Sequence, residues 1–292
     1  MKVCLITCAK NEDEHIEEFL EHYFDIVGVD HIFWIDNNSE PLKPVVINDD
    51  RVTVIDKRDV MFDSGVKPPL MIMKDLVNEA YQKYVVGSEY DWCCYFDPDE
   101  LLELPGSNIK DYLAKMEGYE VMLMPWVMHG NNNYIWEKEL PSNRMKVNYG
   151  YESNYDYSKI EYKPILKTKK QYEIDIYYFD PRRIILNCPF DKIAIDQSCK
   201  LHHYRVQCIE TYIKHKVNNG FYGMENRAKW CKNIFNSSVF TQSNVRIELD
   251  RIADFHELLM EYGLNDMITK YDRIFLKIKY GILLYPSKSN VS

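Results

Sequence analysis

Blocks of apolar residues at two different spacings alternate along the first 130 positions. "VCLITC" at 3–8 is a continuous apolar run of strand length. Between 11 and 27, Ile16, Phe19, Leu20, Tyr23, Phe24 and Val27 recur at i, i+3 and i+4, which predicts a helix. Asn11 stands where an N-cap belongs, Glu14 completes a capping box, and Gly28 supplies the stop. "HIFWID" (31–36) and "RVTVID" (51–56) are the next strand candidates. A second helix is predicted over 70–86, with Met73, Leu76, Val77, Ala80 and Tyr84 on one face. "DWCCYF" (91–96) and, after a loop, "EVMLMPWV" (120–127) complete the series.

Strands alternating with helices imply right-handed βαβ units and a mostly parallel α/β sheet. Ligands of such sheets bind outside the carboxyl ends of the strands. Here those ends carry Thr7–Cys8–Ala9, Asp36–Asn37–Asn38, Asp56 and Asp97–Asp99, which should line one crevice. The segment 129–180 is rich in Asn and Tyr, lacks a clear period, and reads as irregular hairpins and loops. After "KLHHYRV" the pattern turns helical, over about 207–219, 244–262 and 266–280.

Composition narrows the function classes. The chain has 292 residues, 46% of them apolar, enough for a substantial core. A net charge of −9 argues against a protein that grips nucleic acid, since phosphate neutralisation needs a basic face. Eight cysteines without a CxxC pair fit buried thiols in a reducing compartment. Cys199, His202, His203 and Cys208 form an alternative zinc set of non-standard spacing. The N-terminal apolar run is too short for a signal peptide, and no stretch reaches the roughly 20 apolar residues of a membrane span. A cytoplasmic protein is the expectation. "IFLKIKYGILLY" (274–285), with Arg273, Lys277 and Lys279, reads either as a packed amphipathic helix or as a peripheral membrane contact.

The chemistry concentrates in "DWCCYFDPDELLEL" (91–104), where an apolar strand runs into Asp97, Asp99, Glu100 and Glu103. Gathered carboxylates repel one another unless a cation neutralises them, and oxygen ligands suit Mg²⁺ or Mn²⁺. A solvated acidic loop is the plain alternative.

"CAKNEDEHIEEFLEHYFDIVGVDHIFWIDNNS" (8–39) resembles the opening of family-2-like glycosyltransferases, in the branch related to family 92. "YFDPDELLEL" resembles that branch's D-x-D-E motif. "MPWVMHG", "YKPILKT" and "LHHYRVQCIETYIKHKVNNG" resemble its later segments more loosely. The resemblance covers about 3–220. It implies a GT-A fold over 1–220, with a donor half at about 1–105 and an acceptor half at about 106–220. A helical appendage at 221–292 would pack on it.

It further implies a metal-dependent, inverting transfer of sugar from a nucleotide-sugar, a UDP-sugar being the expected donor. The acceptor would be a glycan or a lipid-linked glycan in surface polysaccharide or glycoconjugate synthesis. Carried over by position, Thr7, Ala9, Asn11, Glu12, Asp36, Asp97 and Lys163 would bind the donor. Asp97, Asp99 and His203 would hold Mn²⁺ or Mg²⁺, and Trp126 and Gly130 would meet the acceptor. The catalytic base has no assigned residue; Asp156 and Asp191 are the candidates. His129, Asn219 and the segment Asn143–Arg144–Met145 depart from the family's pattern, which puts acceptor recognition in question. Two other classes remain open: an inactive GT-A module that binds a glycan or partner, and a metal-dependent nucleotidyltransferase. The latter expects a Gly-rich basic loop that "TCAKNEDE" does not provide.

Overall fold

The structure is a computed structural model that describes residues 1–10, 12, 15–37, 46–60, 69–106, 108–128, 162–175 and 185–204, with 257 and 260. The chain divides into two compact units, Met1–His129 with Leu140–Arg205, and Gly130–Glu139 with Val206–Ser292. Of the second unit only Glu257 and Met260 are described, both exposed. The helices expected after 207 otherwise lie outside the described residues. Among the described residues no helix is long and apolar enough to cross a membrane.

The first unit is built on β1 (Val3–Ala9), β2 (His31–Asp36), β3 (Val52–Asp56) and β4 (Trp92–Tyr95), all mutually parallel in the order β3-β2-β1-β4. β1 is buried along its whole length because both of its faces are covered, which is why its sequence is apolar without alternation. Val3 and Leu5 enter one core with Phe19, Tyr23 and Trp34. Cys4, Ile6 and Cys8 enter the other with Leu76, Val77 and Tyr81. Helix α1 (Ile16–Glu21) continues as a π-helical turn, His22–Val27, and supplies the first core. Helix α2 (Pro69–Ala80), with its own π-helical end Tyr81–Val85, supplies the second.

The predicted stop at Gly28 is present. Its φ of 84° places it in the left-handed region, and its N–H reaches the Tyr23 carbonyl. The described helix starts at Ile16 with His15 as its N-cap residue; Asn11 and Glu14 lie outside the described residues.

Beyond β4 the sheet becomes mixed, a difference from the mostly parallel expectation. β5 (Glu100–Glu103), β6 (Val121–Met128), β7 (Tyr162–Lys167), β10 (Ile193–Ile195) and β11 (Lys200–His203) extend it. The order is β3-β2-β1-β4-β7-β6-β11-β5, with β10 on β6. β7 lies antiparallel between β4 and β6, and β5 closes the far edge antiparallel to β11. β8 (Glu173–Ile174) and β9 (Ile185–Leu186) form a separate two-stranded pair.

The segment expected to be irregular therefore contains a central strand. Pro164 removes a backbone donor there, yet Lys163, Pro164, Ile165 and Leu166 are all buried. The strand β5 and the short helix α3 (Ile109–Ala114) stand where a loop was expected. Asn108 caps α3 by accepting a hydrogen bond from the Asp111 N–H at 2.9 Å.

Candidate functional site

The strand order reverses between β1 and β4. The connection after β1 leads outward to β2, whereas the connection after β3 returns through α2 to the other side of β1. In an open α/β sheet such a switch point leaves a crevice at the strands' carboxyl ends. Ala9 ends β1, Asp36 ends β2 opposite it, and Asp97 follows β4. The expected convergence is real for these residues. Burial and then the Asp97 charge push the Cys8 thiol up to about 12, with Asp36 adding to the rise.

The acidic tip is not a solvated loop. Asp99 and Glu100 are buried, Asp97 is half-buried, and only Glu103 is exposed. Both oxygens of Asp97 are engaged. The Tyr95 hydroxyl donates to Oδ1 at 3.0 Å, and Lys163 Nζ donates to Oδ2 at 2.7 Å. Tyr95 and Asp97 meet because alternate residues of an extended chain share a face. Lys163 arrives from 66 positions away because β7 runs antiparallel to β4, so its opening residues lie beside the end of β4.

Lys163 Nζ also lies 3.6 Å from Glu100 Oε1, 4.1 Å from the centre of the Tyr95 ring and 5.7 Å from that of Trp126. Burial works against its charge, but Asp97 and Glu100 outweigh it and hold its pKa above the ordinary lysine value. Burial pushes the Glu100 carboxyl well above the usual carboxylate range, against the pull of Lys163. Glu100 Oε2 accepts the Asp97 backbone N–H at 2.7 Å, fixing the turn through Pro98.

His203 reaches the same cluster from β11. Its register partner on β5 is Glu100, the Tyr204 N–H bonds the Asp99 carbonyl at 2.8 Å, and His203 Nε2 lies 3.5 Å from Asp99 Oδ2. Its Nδ1 is buried without a hydrogen-bond partner among the described residues. Trp126 packs on the imidazole at 4.2 Å between ring centres. His202 points to the opposite face of β11 and bonds Glu103 Oε2 at 2.7 Å. The two histidines therefore cannot serve one ion, which removes the alternative zinc set; Cys208 lies outside the described residues. Cys199 is a buried free thiol, as are Cys4, Cys8, Cys93 and Cys94.

Among the described residues no group of three His, Cys, Asp or Glu side chains is arranged to hold a metal. Asp99 and His203 fit a cation as a pair, combining a carboxylate oxygen with an imidazole nitrogen. Asp97 would have to exchange Tyr95 or Lys163 to join them.

Of the other expected donor residues, Thr7 is buried with its hydroxyl unpartnered among the described residues, and the Ala9 carbonyl accepts the Asn37 N–H at 2.9 Å. Asp36 is buried, with Arg58 Nε 3.9 Å away. Glu12 is taken up locally, 3.2 Å from His15. Asn11, Gly130 and Asp156 lie outside the described residues. Asp191 is exposed on a short 3-10 turn just before β10. Ile193 pairs with Val121 there, at the amino-terminal edge of the parallel strands and opposite Asp97, so the structure does not bring Asp191 to the site.

One residue of the cluster, Tyr95, was not singled out from sequence, although its i, i+2 relation to Asp97 made it legible. Glu100 was named among the acids after β4, but its burial was not legible, because "ELLEL" does not alternate and the pairing of β5 with β11 is what covers it.

No family model matches the chain, and no curated protein matches its sequence. Among solved structures, TarS of S. aureus, residues 1–349, is similar at 13% identity and a TM-score of 0.36, over 96% of this chain and 92% of that one. Its complexes with UDP and with UDP-GlcNAc are similar at 12% identity, with TM-scores of 0.35 and 0.37 and the same coverage. This chain's own strand order and side chains define the site.

Proposed function

We propose that this chain is a nucleotide-sugar-dependent glycosyltransferase of the GT-A type. The observation that carries the reading is the buried cluster of Asp97, Asp99, Glu100, Lys163 and His203 at the switch point between β1 and β4. A solvated acidic loop would not bury two carboxyl groups, Asp99 and Glu100, and half-bury a third, Asp97, around an ammonium and an imidazole, because each buried charge is costly unless paired. Acidic and basic groups combined in a crevice suit a ligand that is itself a diphosphate with a cation.

In this reading Thr7, Ala9 and Asp36 border the nucleotide, Lys163 faces the diphosphate, and Asp97, Asp99 and His203 hold Mn²⁺ or Mg²⁺. The cation would neutralise charge developing on the diphosphate as the glycosidic bond breaks. Trp126, beside His203, offers a flat apolar face to a sugar acceptor. Inversion at the sugar, a glycan or lipid-linked acceptor, and the family-92 branch belong to the same proposal.

The test is thermal unfolding of the wild type and Asp99→Asn with Mn²⁺ and a panel of UDP, GDP, CDP and their sugars. A ligand that binds only the folded state raises the midpoint by mass action. The expected result is a Mn²⁺-dependent rise with one nucleotide, lost in Asp99→Asn. No rise with any nucleotide in folded protein would sink the reading.

A further inference from the structure

We infer that Lys163 occupies the place of a divalent cation on Asp97 in the nucleotide-free protein, so that metal and Lys163 compete for that carboxylate and the donor's diphosphate decides between them. This rests on the cation site of the proposed function. The carrying observation is that Asp97 presents no uncommitted oxygen: Tyr95 takes Oδ1 at 3.0 Å and Lys163 takes Oδ2 at 2.7 Å. The Lys163 side chain is almost wholly buried, at 3% exposure, and its ammonium lies among Asp97, Glu100, Tyr95 and Trp126.

The electrostatics set the direction of the coupling. A divalent ion approaching Asp99 and His203 meets a fixed positive charge that already neutralises the neighbouring carboxylate, so it binds poorly. An arriving diphosphate offers Lys163 new anionic oxygens. Drawing Nζ away from Asp97 exposes Oδ2 to the cation at the moment when the diphosphate needs one. Lys163 is thus a positioning residue for the cation and a contact for the donor. Donor and metal should enter together, and the nucleotide-free site should be kept from stray divalent ions.

Direct Mn²⁺ binding to the nucleotide-free full chain, followed by calorimetry and by the electron paramagnetic resonance signal of free Mn²⁺, tests this without any turnover. Asp99→Asn should weaken Mn²⁺ binding by about tenfold or more. Lys163→Met should tighten Mn²⁺ binding by at least about tenfold, and adding Asp97→Asn to it should remove most of that gain. A folded Lys163→Met protein that binds Mn²⁺ no more tightly than the wild type overturns the inference. So does a gain that survives the addition of Asp97→Asn. Should Lys163→Met not fold, Lys163→Gln, which keeps a polar tip without the charge, takes its place in both comparisons. UDP binding, measured separately, bears on the transferase reading: its absence alongside the expected Mn²⁺ results would leave the ion pair's role standing and remove the donor.

Discussion

Lys163 Nζ sits 2.7 Å from Asp97 Oδ2 in a pocket that leaves the lysine side chain only 3% exposed and the aspartate 20%. The pair joins β7 to the end of β4 and holds together a cluster that also contains Asp99 and Glu100. Removing one partner of a buried pair strands the other. Asp97→Ala should therefore lower unfolding free energy by about 3 kcal/mol. Urea denaturation followed by tryptophan fluorescence measures it; a loss below about 1 kcal/mol would mean that Glu100 alone neutralises Lys163.

Thr7 is buried in the middle of the sheet, and its hydroxyl has no hydrogen-bond partner among the described residues. Thr7→Val keeps the shape and removes the unsatisfied group, so stability should rise by about 1 kcal/mol. If Thr7 also borders the nucleotide of the proposed donor site, UDP affinity should fall in the same variant; an unchanged affinity would leave Thr7 a buried residue of the sheet alone. Thermal unfolding with and without UDP reads both effects.

The Tyr23 hydroxyl donates to the Glu100 carbonyl at 2.8 Å, linking the π-helical turn after α1 to the first residue of β5. Tyr23→Phe should cost about 1–2 kcal/mol. Backbone amide exchange should quicken at Glu100 and Leu101 before it does in β1; uniform protection across the variant would show that the bond does not anchor β5.

Gly28 has a φ of 84°, and a Cβ placed there would stand 3.4 Å from Asn108 Cβ. Gly28→Ala should destabilise the fold by roughly 1–2 kcal/mol through backbone strain, with little from crowding. Gly28→Asn, which tolerates the left-handed region better, should recover part of the loss in the same denaturation assay.

His22 bonds the Leu102 carbonyl through Nε2 at 3.0 Å, and burial lowers its pKa from 6.5 to about 4. The folded state therefore keeps this ring neutral while the unfolded chain takes up a proton. Its contribution is fully present above pH 6.5 and is lost as pH falls from 6.5 towards 4. The loss should amount to at most about 3 kcal/mol. His22→Gln should flatten the stability profile across that window; an unchanged slope would assign the acid sensitivity elsewhere.

By itself the sequence determined the first half of the sheet, α2 and the stop of α1. Those signals are local. "VCLITC", "HIFWID" and "DWCCYF" are apolar because their strands are covered on both faces, and the i, i+3, i+4 spacings record which side of each helix is covered. Local too was the gathering of acids after β4, together with the expectation that they would meet the ends of β1 and β2. Only the tertiary structure decided what the acids do there. Strand β7 has no period that distinguishes it from the Tyr-rich segment before it, and its antiparallel insertion is what carries Lys163 to Asp97. Pairing of β11 with β5 likewise chooses His203 over its neighbour His202, since a strand turns adjacent side chains to opposite faces. A local pattern reports how each side chain divides between core and water. Which distant charge it meets depends on the order and direction of strands, and those follow from packing the whole sheet.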